Sequence, residues 1–246
     1  MEVKNNPSGR LYDILVSARH QPDNIKLRAV WANVFGCEQD DTGEILRLLA
    51  DLFKLVHEAR EATSNLNDVD SALYLEPFNR IENLLAHVNL NANWQGLKGN
   101  LDEKTMTELR FGADRLSRLK EAQTLSSDQT SLFTQQLEEL LQAALSSELP
   151  PELKRLFSKN IECLRHALFA YKISGADGIE DEIDRALGSL LRYKDDIKKS
   201  DDNGKRRALF QRFFEIISKL NEAISLGQNT AAIAPPAIAL LAKIFS

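Results

Sequence analysis

Residues 150–175 read PPELKRLFSKNIECLRHALFAYKISG, and the spacing of their apolar side chains decides the fold class. Leu153, Leu156, Phe157, Ile161, Leu164, Leu168 and Tyr171 recur at intervals of one, three or four. On a helix turning by about 100° per residue they fall in one wide stripe, and roughly 23 helical residues would span about 34 Å. Pro150-Pro151 suits the first turn, where the missing N–H groups have no intrahelical acceptor anyway. Gly175 supplies the left-handed residue on which helices commonly end. Cys163, Ala167, Phe169 and Ala170 carry non-polar surface further around the barrel. The pattern therefore predicts a helix covered on more than one side, at the centre of a bundle.

The same periodicity runs outward in both directions, and alternating runs of β-branched residues are missing. Towards the N-terminus, Ser8 is placed to cap a helix carrying Leu11, Ile14, Leu15 and Ala18, and a second helix runs from Asn24 to Gly36. Asp41, with Glu44 three residues on, has capping-box spacing ahead of Ile45, Leu48, Leu49, Leu52, Leu55, Val56 and Ala59. After the polar break at Ser64–Ser71, a helix starting near Ser71 or at Pro77 carries Phe78, Ile81, Leu84, Leu85 and Val88. Asn89–Asn100 reads as a loop, with Trp94 plugging the core beneath it. Asp102 caps the next helix, in which Gly112 costs about 1 kcal/mol relative to Ala and marks a candidate close crossing.

Gln123–Gln129 is the best candidate linker. A helix then starts at Asp128 and carries Leu132, Phe133, Leu137, Leu140, Leu141, Ala144 and Leu145. Beyond the central stretch come Ile179, Ile183, Ala186, Leu187, Leu190 and Leu191, then a turn at Asp201–Gly204. The helix after that turn is cleanly amphipathic, with Leu209, Phe210, Phe213, Ile216, Ile217, Leu220 and Ile224 opposite Arg212, Glu215, Lys219 and Glu222. The expectation is an all-α protein of about nine or ten helices, with an N-terminal bundle over 1–124 and a C-terminal bundle over 125–246.

Composition narrows the class of function. The 246 residues are 43% hydrophobic and carry a net charge of −5, enough for a real core and against a dedicated nucleic-acid surface. Cys37 and Cys163 give no disulfide framework, and the polar start Met1–Arg10 does not read as a signal peptide, so the expected setting is cytoplasmic. Leu164–Leu191, around Tyr171 and Ser174–Gly178, resembles stretches of bacterial helical proteins, as does Leu90–Leu116 around Trp94. The resemblance implies a bacterial origin and carries no catalytic motif.

No Gly-rich phosphate loop, Cys-x-x-Cys, Gly-x-Ser-x-Gly or His-Glu-x-x-His occurs. The residues three before the histidines are Ser17, Lys54, Leu84 and Cys163, so the Glu-x-x-His pairs of a bundle di-metal site are missing. Arg80 and His87 form the sharpest chemical pair, almost two turns apart on one helical face. Arg, six residues, then His resembles the motif of the HEPN ribonucleases, helical proteins that pair two such sites across a dimer. That resemblance implies Arg80 polarising a phosphate and His87 shuttling a proton. Ile81 stands where that family has a small polar residue.

Glu162 and His166 are spaced as a solvated ion pair. Asp177, Glu180, Asp181, Glu182 and Asp184 suit a helix N-terminus through the backbone dipoles alone. Lys198, Lys199, Lys205, Arg206 and Arg207 flank the turn, diluted by Asp196, Asp201 and Asp202. Residues 231–245, AAIAPPAIALLAKIF, fall short of the roughly 20 needed to cross a bilayer, yet are too apolar to stay uncovered. They predict a short helix over Ala237–Phe245 whose Ile238, Leu241 and Phe245 dock on the bundle, a partner or a membrane.

The resulting expectation is a non-enzymatic protein–protein interaction or regulatory module, with no catalytic residue, cofactor or metal assigned and a protein partner or homo-oligomer expected. A dimeric HEPN-like ribonuclease through Arg80 and His87 is the alternative. A membrane-associated protein using the tail is the second alternative.

Overall fold

A computed structural model describes residues 6–66, 71–87, 89–118, 124–193 and 205–225. Among them the fold is all-α, about 82% helical, with ten α-helices and no strand. The chain forms two compact units, Met1–Glu121 with Lys172–Gly175, and Ala122–Tyr171 with Ala176–Ser246.

The first unit holds α1 (Pro7–Arg19), α2 (Leu27–Phe35), α3 (Thr42–Ser64), α4 (Ser71–Leu85), α5 (Gln95–Lys98), a 3₁₀ turn (Gly99–Leu101) and α6 (Glu103–Ser117). α1 packs on α3 and α6, and α3 packs on α4. Leu11 and Leu15 of α1, Ile45 and Leu52 of α3 and Ile81 of α4 have no exposed surface. Burying each such side chain contributes about 1.5–3 kcal/mol.

Asp41 caps α3 by accepting the Glu44 N–H at 2.9 Å, and α2 ends on Gly36 in the left-handed region (φ 77°, ψ 35°). The expectation for α1 needs correcting. Asn6, not Ser8, is the cap, accepting the Gly9 N–H at 2.8 Å ahead of Pro7. Ser8 is buried instead, its Oγ 3.4 Å from Ala59 O and 3.2 Å from Thr63 Oγ1. Asn and Ser are equally good caps, and the helix starts where proline can occupy its first position.

Trp94 is fully buried, edge-on to Trp31 with ring centroids 6.5 Å apart. Its segment is strapped down by backbone bonds from Leu27 N to Ala92 O (2.9 Å), Arg28 N to Leu90 O (2.8 Å) and Trp94 N to Ile25 O (3.0 Å). The segment is not the plain loop expected, because α5 and the 3₁₀ turn lie within it. Its Asn and Gly content hides a helical spacing, Trp94, Leu97 and Leu101, all of them buried.

The second unit holds α7 (Ser127–Ser146), α8 (Pro151–Phe169), most of α9 (Tyr171–Arg192) and α10 (Lys205–Ser225). α7 packs against both α8 and α10. Phe157 of α8, with no exposed surface, meets Phe210 and Phe213 of α10 with centroids 5.0 and 5.1 Å apart. The end of the proposed linker is a helix start rather than a spacer. Ser126 Oγ accepts the Gln129 N–H at 3.1 Å, while Gln129 Oε1 accepts the Ser126 N–H at 2.9 Å. Ser-x-x-Gln is a complete capping box.

The central stretch is two helices, not one ended by Gly175. α8 stops at Phe169 with Ala170 as its C-cap (ψ 3°), and α9 begins at Tyr171. The apolar stripe runs through the break, since Leu168 and Tyr171 are both buried, so periodicity cannot register it. Tyr171 is held by its hydroxyl, which accepts the Leu125 N–H at 2.8 Å. Gly175 does have a positive φ (65°), but its ψ of −159° makes it a kink inside α9. Residues 194–204 and 226–246 lie outside the described residues. With them go the expected turn at Asp201–Gly204 and the tail residues Ile238, Leu241 and Phe245.

Candidate functional site

Arg80 and His87 are not on one helix face. α4 ends at Leu85, and the exposed His87 turns back so that its Nδ1 lies 3.2 Å from Asn83 O. Arg80 Nη1 donates to Asp102 Oδ2. Asp102 also caps α6 by accepting the Thr105 N–H at 2.8 Å. That backbone hydrogen bond is the main cause holding the Asp102 carboxyl below the ordinary carboxylate range, with Arg80 adding to it. The Arg80 guanidinium has to exchange this partner before it can meet a phosphate.

On the back of α8, Glu162 accepts from Arg165 at 2.9 Å, and Arg165 reaches Glu138 of α7 at 2.7 Å. In the acidic run, Glu182 is paired with Arg185. Among the described residues no group of three or more His, Cys, Asp or Glu is placed to hold a metal ion. No described helix is long and apolar enough to cross a membrane.

A different surface stands out, between α8 and α9. Asn160 and Ser189 are 7% and 9% exposed, so their polar atoms need partners. Ser189 Oγ lies 3.0 Å from Asn160 Oδ1 and 2.9 Å from Ala186 O, while Asn160 Nδ2 donates to Leu156 O at 3.0 Å. This pair joins α8 to α9 through one side-chain hydrogen bond. Above it opens a groove of about 1110 Å³, with Leu156, Cys163 and Gly188 lining it beside the pair.

The groove carries four cations, Arg155, Lys159, Arg185 and Arg192, against two carboxylates, Glu152 and Glu182. Since Glu182 holds Arg185, the imbalance falls on the other three cations. Arg155, Lys159 and Arg192 are exposed and make no ion pair among the described residues. Tyr193, 39% exposed, also lines it. At Gly188 the groove is open, because an added Cβ there would meet nothing within 4 Å.

None of the groove's four cations was singled out from the sequence. Arg155 and Lys159 are four apart, and Arg185 and Arg192 seven apart, which reads as the ordinary solvent side of two amphipathic helices. The usable signal was Asn160 and Ser189, each beside an apolar position (Ile161 and Leu190), where a polar side chain requires a buried partner.

Fold and groove together define a helical-bundle protein with a basic interhelical cleft. Comparison with protein-family models, curated proteins and solved structures returned no match.

Proposed function

We propose that this chain is a non-enzymatic interaction module and that the α8–α9 groove is where it meets a protein partner. The observation that carries the reading is the unpaired state, among the described residues, of Arg155, Lys159 and Arg192 around a groove of about 1110 Å³. Solvent-exposed cations without partners keep their contact with water and cost little to leave unpaired. They become productive when a surface of opposite sign meets them, through faster encounter and a fixed register. A bacterial and cytoplasmic setting belongs to the same proposal, supported by the sequence resemblance and by the two free thiols Cys37 and Cys163.

The test is affinity capture from the native cells with the full chain and with its Arg155→Glu, Lys159→Glu, Arg192→Glu triple variant. The reading expects a reproducible protein partner that the triple variant loses while its melting temperature is unchanged. Identical captured sets from the two chains would overturn it.

A further inference from the structure

We infer that the occupant of this groove is an acidic α-helix of the partner protein. The inference rests on the interaction reading and adds the chemistry of what is bound. Charge is the first reason. With Glu182 held by Arg185, Arg155, Lys159 and Arg192 face only Glu152 among the lining residues, leaving a net positive surface. Carboxylates supply the complement, and arginine takes them two oxygens at a time.

Shape is the second reason. The α8 lining runs from Glu152 to Cys163, a rise of about 16 Å, or about three helical turns. A helix laid along it presents acids at spacings of three and four on one face, the spacing that Arg155 and Lys159 have on α8, with Arg192 reaching it from α9. Gly188, with no side chain and open space above it, lets the partner backbone approach most closely there. Docking by strand addition is disfavoured, since it needs a sheet edge and the described residues contain no strand. RNA is disfavoured by Tyr193 being the one aromatic lining residue, where strand binding uses successive stacking platforms.

Photo-crosslinking of the full chain tests this, with p-benzoylphenylalanine placed at Gly188, where there is room for it. The cross-linked peptide is sequenced, synthesised and titrated by fluorescence anisotropy and circular dichroism. The expected peptide is net negative and gains helix on binding. Its affinity drops about fivefold or more for each of Arg155→Glu, Lys159→Glu and Arg192→Glu. Lys219→Glu, on the exposed side of α10, changes nothing. A captured protein segment that is neutral or basic, or whose binding ignores the three reversals, overturns the acidic-helix inference and leaves the interaction reading standing. Cross-links to RNA, or to no protein at all, overturn both.

Discussion

Gly175 is the residue with the least freedom to change. Its φ of 65° and ψ of −159° lie in a region that only glycine populates readily. An added Cβ would sit 2.6 Å from Arg10 Nη1. Arg10 cannot swing clear, because it is 3% exposed, donates Nε–H to Ile173 O at 2.9 Å and lies 3.7 Å from Glu58. Gly175→Ala is therefore expected to destabilise by about 1–3 kcal/mol or more. Gly112 is the contrast, since a Cβ there meets Thr63 at 3.8 Å, an ordinary contact. The crossing its sequence position suggested is not tight enough to require glycine, and Gly112→Ala is expected to stabilise by about 0.5–1 kcal/mol. Urea denaturation of both variants checks the pair.

Asp102 gives a pH test at the same scale. Its folded carboxyl titrates below the ordinary value of 3.8, chiefly through the Thr105 backbone N–H. A depressed folded value means that the stabilisation is present above the unfolded pKa and is lost as pH falls through the folded one. Asp102→Asn keeps a competent cap but removes the charge facing Arg80. Wild type is expected to exceed this variant in stability at pH values above 3.8 and to converge on it at lower pH. Parallel stability profiles across that range would show that the charge contributes nothing.

At the scale of elements, what could be read in advance followed side-chain spacing, and what could not followed geometry between segments. Ile45 to Ala59 announced α3, and Asp41 and Asp102 announced their helices, because each signal is local. The break between α8 and α9 was hidden, since Leu168 and Tyr171 keep the stripe intact while the backbone turns at Ala170. The groove was hidden for a related reason. Arg155 and Arg192 lie on different helices, and nothing local states that Asn160 faces Ser189. That pair also makes a prediction. A double-mutant cycle of Asn160→Ala and Ser189→Ala is expected to give a coupling of about 0.5–1.5 kcal/mol. A coupling of zero by thermal or chemical denaturation would mean that the two side chains do not hold α8 to α9.

For the whole molecule, a net charge of −5 argues against a surface given over to nucleic acid, yet it conceals a local basic groove. Net charge governs solubility and non-specific association, while the local field of the groove is set by the three cations on α8 and α9. The all-α class was legible end to end because a period near 3.6 needs no partner segment to be recognised. The groove was not, because a cleft formed between two helices has no local signature in either of them.

The central claim is that the chain meets its partner through α8 and α9. The most direct measurement is hydrogen–deuterium exchange of the full chain, alone and with the captured partner in excess. Slowed exchange concentrated in 152–163 and 182–193 is the predicted result, lost in the Arg155→Glu, Lys159→Glu, Arg192→Glu variant. Protection confined to other segments, with these two unchanged in a demonstrably bound sample, would contradict it.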